Sequence, residues 1–84
     1  MIAITIGTEK QIVWANDIRN ANIKTLEREI EEFKLREVNG TGSFPELIAK
    51  LEKAIEEIKT TEKTAQWWIE HQNLANAYIQ KIKR

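Results

Sequence analysis

Residues 8–38 read TEKQIVWANDIRNANIKTLEREIEEFKLREV, and this uninterrupted stretch decides the fold because it contains no Pro or Gly. Thr8 with Gln11 three residues later matches a capping box, which predicts that a helix begins here. At about 100° per residue, the apolar side chains of the stretch share an arc of roughly 140°. They are Ile12, Ala15, Ile18, Ile23, Leu26, Ile30 and Phe33. The sequence therefore predicts one long amphipathic helix over residues 8–38.

The residues before this helix predict a short extended arm over residues 1–7. Ile2, Ile4 and Ile6 alternate with small or polar residues, and Gly7 ends the pattern. Alternation of this kind is typical of a strand. A lone strand has no partner strand in this chain, so we expect it to lie on the helices or to pair with a second copy.

Asn39 and Gly40 predict the end of helix one, since either residue can adopt the left-handed conformation that closes a helix. Residues 39–43 are the predicted loop. Helix two is predicted over residues 44–59, with Ser43 as its cap and Pro45 in its first turn. Its apolar residues fall within an arc of about 120°. They are Phe44, Leu47, Ile48, Leu51, Ala54, Ile55 and Ile58.

Helix three is predicted over residues 61–83, with Thr60 or Thr61 as its cap. The alternative is one continuous helix from residue 44 to residue 83, but the break is favoured because β-branched Thr residues weaken a helix interior. Helix three has two apolar sectors. The first holds Ala65, Trp68, Ile69, Ala75, Ile79 and Ile82, and the second holds Trp67, Leu74 and Tyr78, with His71 among them. Either both sectors face neighbouring helices, or one is exposed.

These elements predict an all-α fold, an antiparallel three-helix bundle with a long first helix and a short extended N-terminal arm. The 84 residues form one domain, residues 1–84. With no Cys and one His, the chain is expected to hold no metal and no cofactor. The sequence has neither a signal peptide nor an apolar run of about 20 residues. We therefore expect a cytoplasmic protein without membrane contact.

Composition also bears on the kind of partner. The chain has 13 basic and 13 acidic residues, whereas nucleic-acid-binding proteins generally carry a basic excess. The alternative of a nucleic-acid-binding module would rest on Lys81, Lys83 and Arg84 at the C-terminus. A structural homodimer paired through the arm is a further alternative. No combination of nucleophile, base and electrophile is recognisable, so we expect no enzymatic activity and no catalytic residues.

Arg19 lies at the centre of the apolar face of helix one. A charge there must be paired or must reach solvent. It is interpreted either as a structural Arg, with its head in solvent or paired with a carboxylate of another helix, or as a recognition residue. Aromatic residues near an Arg are typical of binding hot spots. The predicted partner-binding residues are Trp14, Arg19, Trp67, His71, Leu74 and Tyr78.

Two segments carry a resemblance to a known family. The pattern Thr-Glu-Lys-Gln-Ile-x-Trp-Ala-x-x-Ile-Arg at residues 8–19, with Ala-x-Trp-Trp-Ile at residues 65–69, resembles small proteins of phages, prophages and mobile elements of low-GC bacteria. In that family an Asp and an Asn or Arg follow the second segment, where this chain has Glu70 and His71. The resemblance implies a host-takeover or anti-defence role, such as an anti-CRISPR protein. We expect a non-enzymatic inhibitor that occludes a larger macromolecular partner.

Overall fold

The computed structural model describes residues 1–40 and 42–83, apart from the side chain of Lys83, and its regular structure there is helical. The helices are α1 (Glu9–Val38), α2 (Pro45–Thr60), α3 (Ala65–Glu70) and α4 (Leu74–Lys83). The all-α prediction and the long first helix are confirmed. The prediction of a single third helix over residues 61–83 is wrong, because a turn at residues 71–73 divides it into α3 and α4.

Helix α1 begins as its capping box predicts. The Thr8 hydroxyl accepts a hydrogen bond from the Gln11 amide at 3.2 Å, and the Gln11 side chain accepts one from the Thr8 amide at 3.0 Å. The helix ends at Val38 with Asn39 as its cap, and Gly40 follows with φ +75°, the predicted left-handed stop. Thirty residues of helix span about 45 Å. The molecule is 48 Å long, so α1 sets its length.

Helix α1 also forms one side of the core, since it contacts all the other helices, while α4 contacts α2 as well. Trp68 of α3, Leu26 of α1 and Leu51 and Ile58 of α2 are the largest fully buried side chains. The apolar faces predicted for helices one and two are therefore the faces that meet in the core.

The start of α2 differs from the prediction that Ser43 caps it. Ser43 is exposed, and the capping position is Phe44, which has no side-chain cap. Instead, the carboxylate of Glu37 on α1 accepts a hydrogen bond from the Phe44 amide at 2.6 Å. Pro45 occupies the first turn as predicted. Thr41, part of the predicted loop, lies outside the described residues.

The predicted break after helix two is confirmed, but its caps are not. The hydroxyls of Thr60 and Thr61 donate hydrogen bonds back to carbonyls of α2, so they close that helix. The cap of α3 is Thr64, whose hydroxyl accepts from the Trp67 amide at 3.1 Å. A Thr side chain at a helix end can serve the preceding or the following helix, and the sequence does not distinguish the two uses.

The N-terminal arm lies on the helices. The Ile2 amide donates to the Lys59 carbonyl at 2.9 Å, and the Ile6 carbonyl accepts from the Ala65 amide at 2.8 Å. Between these two bonds, the Ile4 side chain is 6% exposed and belongs to the core. The arm is thus hydrogen-bonded to the end of α2 and to the start of α3.

Gly7, between the arm and α1, should tolerate no side chain. Its φ is +147°, and an added Cβ would lie 2.8 Å from the Ala65 Cβ. We expect Gly7→Ala to lower the free energy of unfolding by about 1–3 kcal/mol, measured by urea denaturation. Gly40→Ala is the matched control, because φ there is +75° but nothing lies within 4 Å of the added Cβ. Equal losses in the two variants would show that the approach to Ala65 costs nothing.

Candidate functional site

Arg19 is a buried anchor for the arm. Its side chain is 3% exposed, one terminal nitrogen donates to the Ile2 carbonyl, and the other donates to the Asn16 side chain at 2.9 Å. The guanidinium carbon lies 5.8 Å from the centroid of the Trp68 ring. Burial lowers the pKa of the Arg19 guanidinium. The expectation of a head in solvent or paired with a carboxylate is wrong, and the burial of Arg19 removes it from the candidate contact residues.

Asn22 is a second buried polar residue of α1, and it explains why α4 starts where it does. It is 5% exposed, and its side-chain oxygen accepts a hydrogen bond from the Ala75 amide at 3.0 Å. Its side-chain nitrogen donates to the Ile18 carbonyl at 2.9 Å. Amides in the first turn of a helix have no partner within that helix. Asn22 therefore satisfies the start of α4 from across the core.

The turn between α3 and α4 brings His71 back over Trp67. Their rings stack with centroids 4.0 Å apart and planes 15° apart. His71 Nδ1 lies 2.7 Å from the Trp67 carbonyl, a hydrogen bond that places the proton on Nδ1. Trp67 in turn meets the fully buried Trp68 edge to face, with centroids 5.0 Å apart. The exposed His71 ring thus belongs to a rigid stack that reaches the core.

Leu74, the first residue of α4, lies next to the Trp67–His71 stack. His71 and Leu74 both line a shallow depression at the turn. Leu74 and Trp67 are partly exposed, and each packs on the core. We call Trp67, His71 and Leu74 the α3–α4 surface. These three predicted contact residues are therefore brought together.

Tyr78 lies one turn beyond Leu74 but faces a different feature. Its hydroxyl donates a hydrogen bond to the Glu57 carboxylate at 3.1 Å. It lines a groove between α2 and α4 together with Lys50, Lys53 and Lys81. Lys81, proposed from sequence as a nucleic-acid contact, thus joins two lysines of α2. Arg84 and the side chain of Lys83 lie outside the described residues.

Tyr78 should make stability depend on alkaline pH. Burial, and then the hydrogen bond and charge of Glu57, raise the pKa of Tyr78. The folded state therefore holds this proton more tightly than the unfolded chain, and the stabilisation is lost as pH rises above the unfolded pKa of about 10. We expect Tyr78→Phe to flatten this decline in the free energy of unfolding. Absorbance titration reports the pKa directly, because Tyr78 is the only tyrosine; an ordinary value would contradict the contact.

Trp14 stands apart from these groups. It is 50% exposed on α1, and no hydrogen bond or ring contact joins it to the α3–α4 surface in the described part of the chain. Its place in a shared contact site stays a prediction. The other large apolar side chains that are exposed lie on the arm and on the outer side of α1. They are Met1, Ile2, Ile6, Val13, Leu35 and Val38.

Comparison with known proteins adds no family. No family model, no curated protein and no solved structure matches the chain. The resemblance to phage and mobile-element proteins therefore stays a prediction. Across residues 1–40 and 42–83, no helix has the length and apolar character that crossing a membrane requires. The same residues contain no cluster of three His, Cys, Asp or Glu side chains placed to hold a metal ion.

Sequence reasoning assigned no role to Asn22, Thr64 or the two lysines of the groove. Asn22 had a signal, since a polar residue within the apolar face of a helix needs a partner. The identity of that partner, a main-chain amide 53 residues away, had none. Lys50 and Lys53 looked like ordinary solvated side chains until the packing of α2 against α4 placed them beside Lys81.

Proposed function

We propose that this chain is a non-enzymatic binding protein that contacts a larger protein through the α3–α4 surface and occludes the surface it covers. The observation that carries the proposal is the Trp67–His71 stack, which is partly exposed and supported from below by the buried Trp68. The phage-type resemblance suggests the class of partner, a host defence complex that the chain would inhibit in an anti-CRISPR manner.

The stack suits binding because its conformation is already fixed. Aromatic residues carry much of the energy of protein interfaces, and side chains ordered before binding lose less entropy when the complex forms. The His71 ring is held by its stack and by its hydrogen bond to the Trp67 carbonyl. Leu74 adds apolar area beside it. Neutral overall charge fits a protein partner better than a polyanion.

The test is affinity capture from a bacterial lysate treated with nuclease, using the wild-type chain and two single variants. We expect His71→Ala to lose at least tenfold of the captured partner, which corresponds to about 1.4 kcal/mol. Leu35→Ala is the control, because it also truncates an exposed side chain, 60% exposed, but one that lies on α1 away from the stack. Equal capture by His71→Ala and wild type would refute the α3–α4 surface as the contact.

A second candidate function has one specific observation in its favour. Lys50, Lys53 and Lys81 share a groove with the Tyr78 ring, and basic side chains beside an aromatic ring are used to hold single-stranded nucleic acid. The same capture experiment separates the two functions, since nuclease would then release the bound material. Binding of a single-stranded oligonucleotide should also weaken steeply with added salt. At a fixed salt concentration, Lys53→Ala should bind the oligonucleotide more weakly than the wild type does, while its capture of protein stays unchanged.

A further inference from the structure

The N-terminal arm is a non-helical segment held in place by the helices, without a strand partner. Its ends are fixed by main-chain bonds from Ile2 to Lys59 and from Ile6 to Ala65, and Arg19 binds the Ile2 carbonyl as well. Between them, Ile4 is buried while its neighbours Ala3 and Thr5 are exposed; Ile2 and Ile6 are exposed as well. The arm is therefore ordered by the helices rather than by a sheet.

One edge of the arm has no partner among the described residues. In an extended chain, the amide and carbonyl of one residue point to the same edge, and those of the next residue point to the opposite edge. The bonded groups of Ile2 and Ile6 define the edge that faces the helices. The main-chain groups of Ala3 and Thr5 accordingly point to the other edge, where no hydrogen bond to them is found in residues 1–40 and 42–83.

The residues of the arm themselves lack the features that normally prevent pairing, although Glu62 and Lys63 line a depression beside Ala3 and Thr5. Natural edge strands carry charged side chains, Pro or bulges that block the approach of another strand. Residues 1–8 contain no charged side chain and no Pro. Met1 and Ile6, which flank the edge, are 69% and 65% exposed. No charged side chain or Pro of the arm itself therefore blocks the approach of a second strand.

We propose that a second copy of this chain pairs with the free edge, arm against arm, in an antiparallel two-fold arrangement. Ala3 of each copy would exchange main-chain hydrogen bonds with Thr5 of the other, and Ile4 would lie opposite Ile4. This register uses the outward groups of both residues and closes on itself. Because the arms carry no charged side chain of their own, residues 1–7 of the two copies bring no like side-chain charges together.

The second copy fits better than an unrelated segment because the edge is complementary to itself. Ala3 and Thr5 each offer one donor and one acceptor, spaced equally about Ile4. The strand is short, so the contact belongs with the small interfaces below about 1,200 Å² that form transient dimers. The inference does not depend on the proposed function, because it uses main-chain groups of the arm, although Trp67 of the α3–α4 surface lines a depression together with Ala3 and Thr5.

The test is sedimentation velocity of the whole chain over a wide range of concentration. We expect the wild-type mass to rise from monomer towards dimer. Thr5→Pro removes an outward amide that has no partner in residues 1–40 and 42–83. Pro also favours an extended residue before it. We expect this variant to remain monomeric with an unchanged helical spectrum. Thr5→Val, which keeps the amide and the β-branched shape, is the control and should dimerise like the wild type.

A second measurement keeps the proposal testable if Thr5→Pro fails to fold. In a mixture of isotope-labelled and unlabelled wild-type chains, the register predicts a contact between the α-protons of Ile4 in the two copies. Their Cα atoms would be about 4.5 Å apart, the spacing of an antiparallel pair without hydrogen bonds. A wild-type chain that stays monomeric at every concentration, or a dimer without this contact, would overturn the proposal.

Discussion

Trp68→Ala is expected to lower the free energy of unfolding by about 3–5 kcal/mol, the largest loss we expect from one substitution. Trp68 is the largest of the fully buried side chains and has 0% exposure. Its ring also lies near the Arg19 guanidinium and packs edge to face against the Trp67 ring. A domain of this size is stable by about 5–10 kcal/mol, so the variant would be marginal.

Urea denaturation measures this loss, and the neighbouring residue supplies the control. Trp67→Ala removes the same side chain from a partly exposed site, so we expect a loss of only about 1–2 kcal/mol. Trp68→Phe should fall between the two, because the indole nitrogen of Trp68 is buried with no hydrogen-bond partner among the described residues, so its removal breaks no hydrogen bond there. Similar losses for Trp67→Ala and Trp68→Ala would contradict the assignment of Trp68 to the core.

Arg19→Met is expected to lower the free energy of unfolding by about 1–3 kcal/mol and to release the arm. The variant keeps the length of the apolar stem but leaves the Ile2 carbonyl and the Asn16 side-chain oxygen without their donor. Removal of a desolvated charge offsets part of this cost, which is why we expect a moderate loss. Urea denaturation gives the magnitude, and amide exchange at Ile2 reports release of the arm.

Arg19→Lys tests whether the two-pronged geometry matters. A Lys keeps the positive charge but has one nitrogen in place of the planar fork, so it cannot donate to both acceptors in the same way. We therefore expect a loss close to that of Arg19→Met. Full stability in Arg19→Lys would show that charge alone holds the arm.

The two ends of α1 were predictable because the residues that set them are close together in the sequence. Thr8 and Gln11 lie within one turn of each other, so the start of α1 depends on no distant residue. The same is true of Gly40, whose positive φ is favoured by its lack of a side chain. Where a cap comes from elsewhere in the fold, as Glu37 does for Phe44, the local signal at Ser43 was misleading.

The division of helix three could not have been predicted from its own residues. His71, Gln72 and Asn73 include no Gly or Pro, and the apolar periodicity continues across them. The acceptor that permits the break comes from Asn22 on α1. Long-range contacts of this kind override local helix propensity, and one sequence does not reveal them.

The candidate site was predictable in its residue types but not in its geometry. Trp67, His71 and Leu74 were recognised as neighbours on one sector, because helical spacing places them there. The close ring stack depends on the turn that starts at His71, so it could not be foreseen. Arg19 was predicted as a contact residue from its place near aromatic residues, yet it is buried beneath the arm. This burial could not be predicted, because the sequence does not say which face the arm will cover.

The central claim is that two buried polar residues of α1 hold distant segments in place, Arg19 by fixing the arm and Asn22 by starting α4. Residue-resolved amide exchange at Ala75 tests it most directly. We predict slow exchange at Ala75 in the wild type, although first-turn amides normally exchange fast. In Asn22→Leu, of similar size, exchange at Ala75 should rise to that of the exposed Gln72. Rapid exchange in the wild type, or an unchanged rate in Asn22→Leu, would contradict the account.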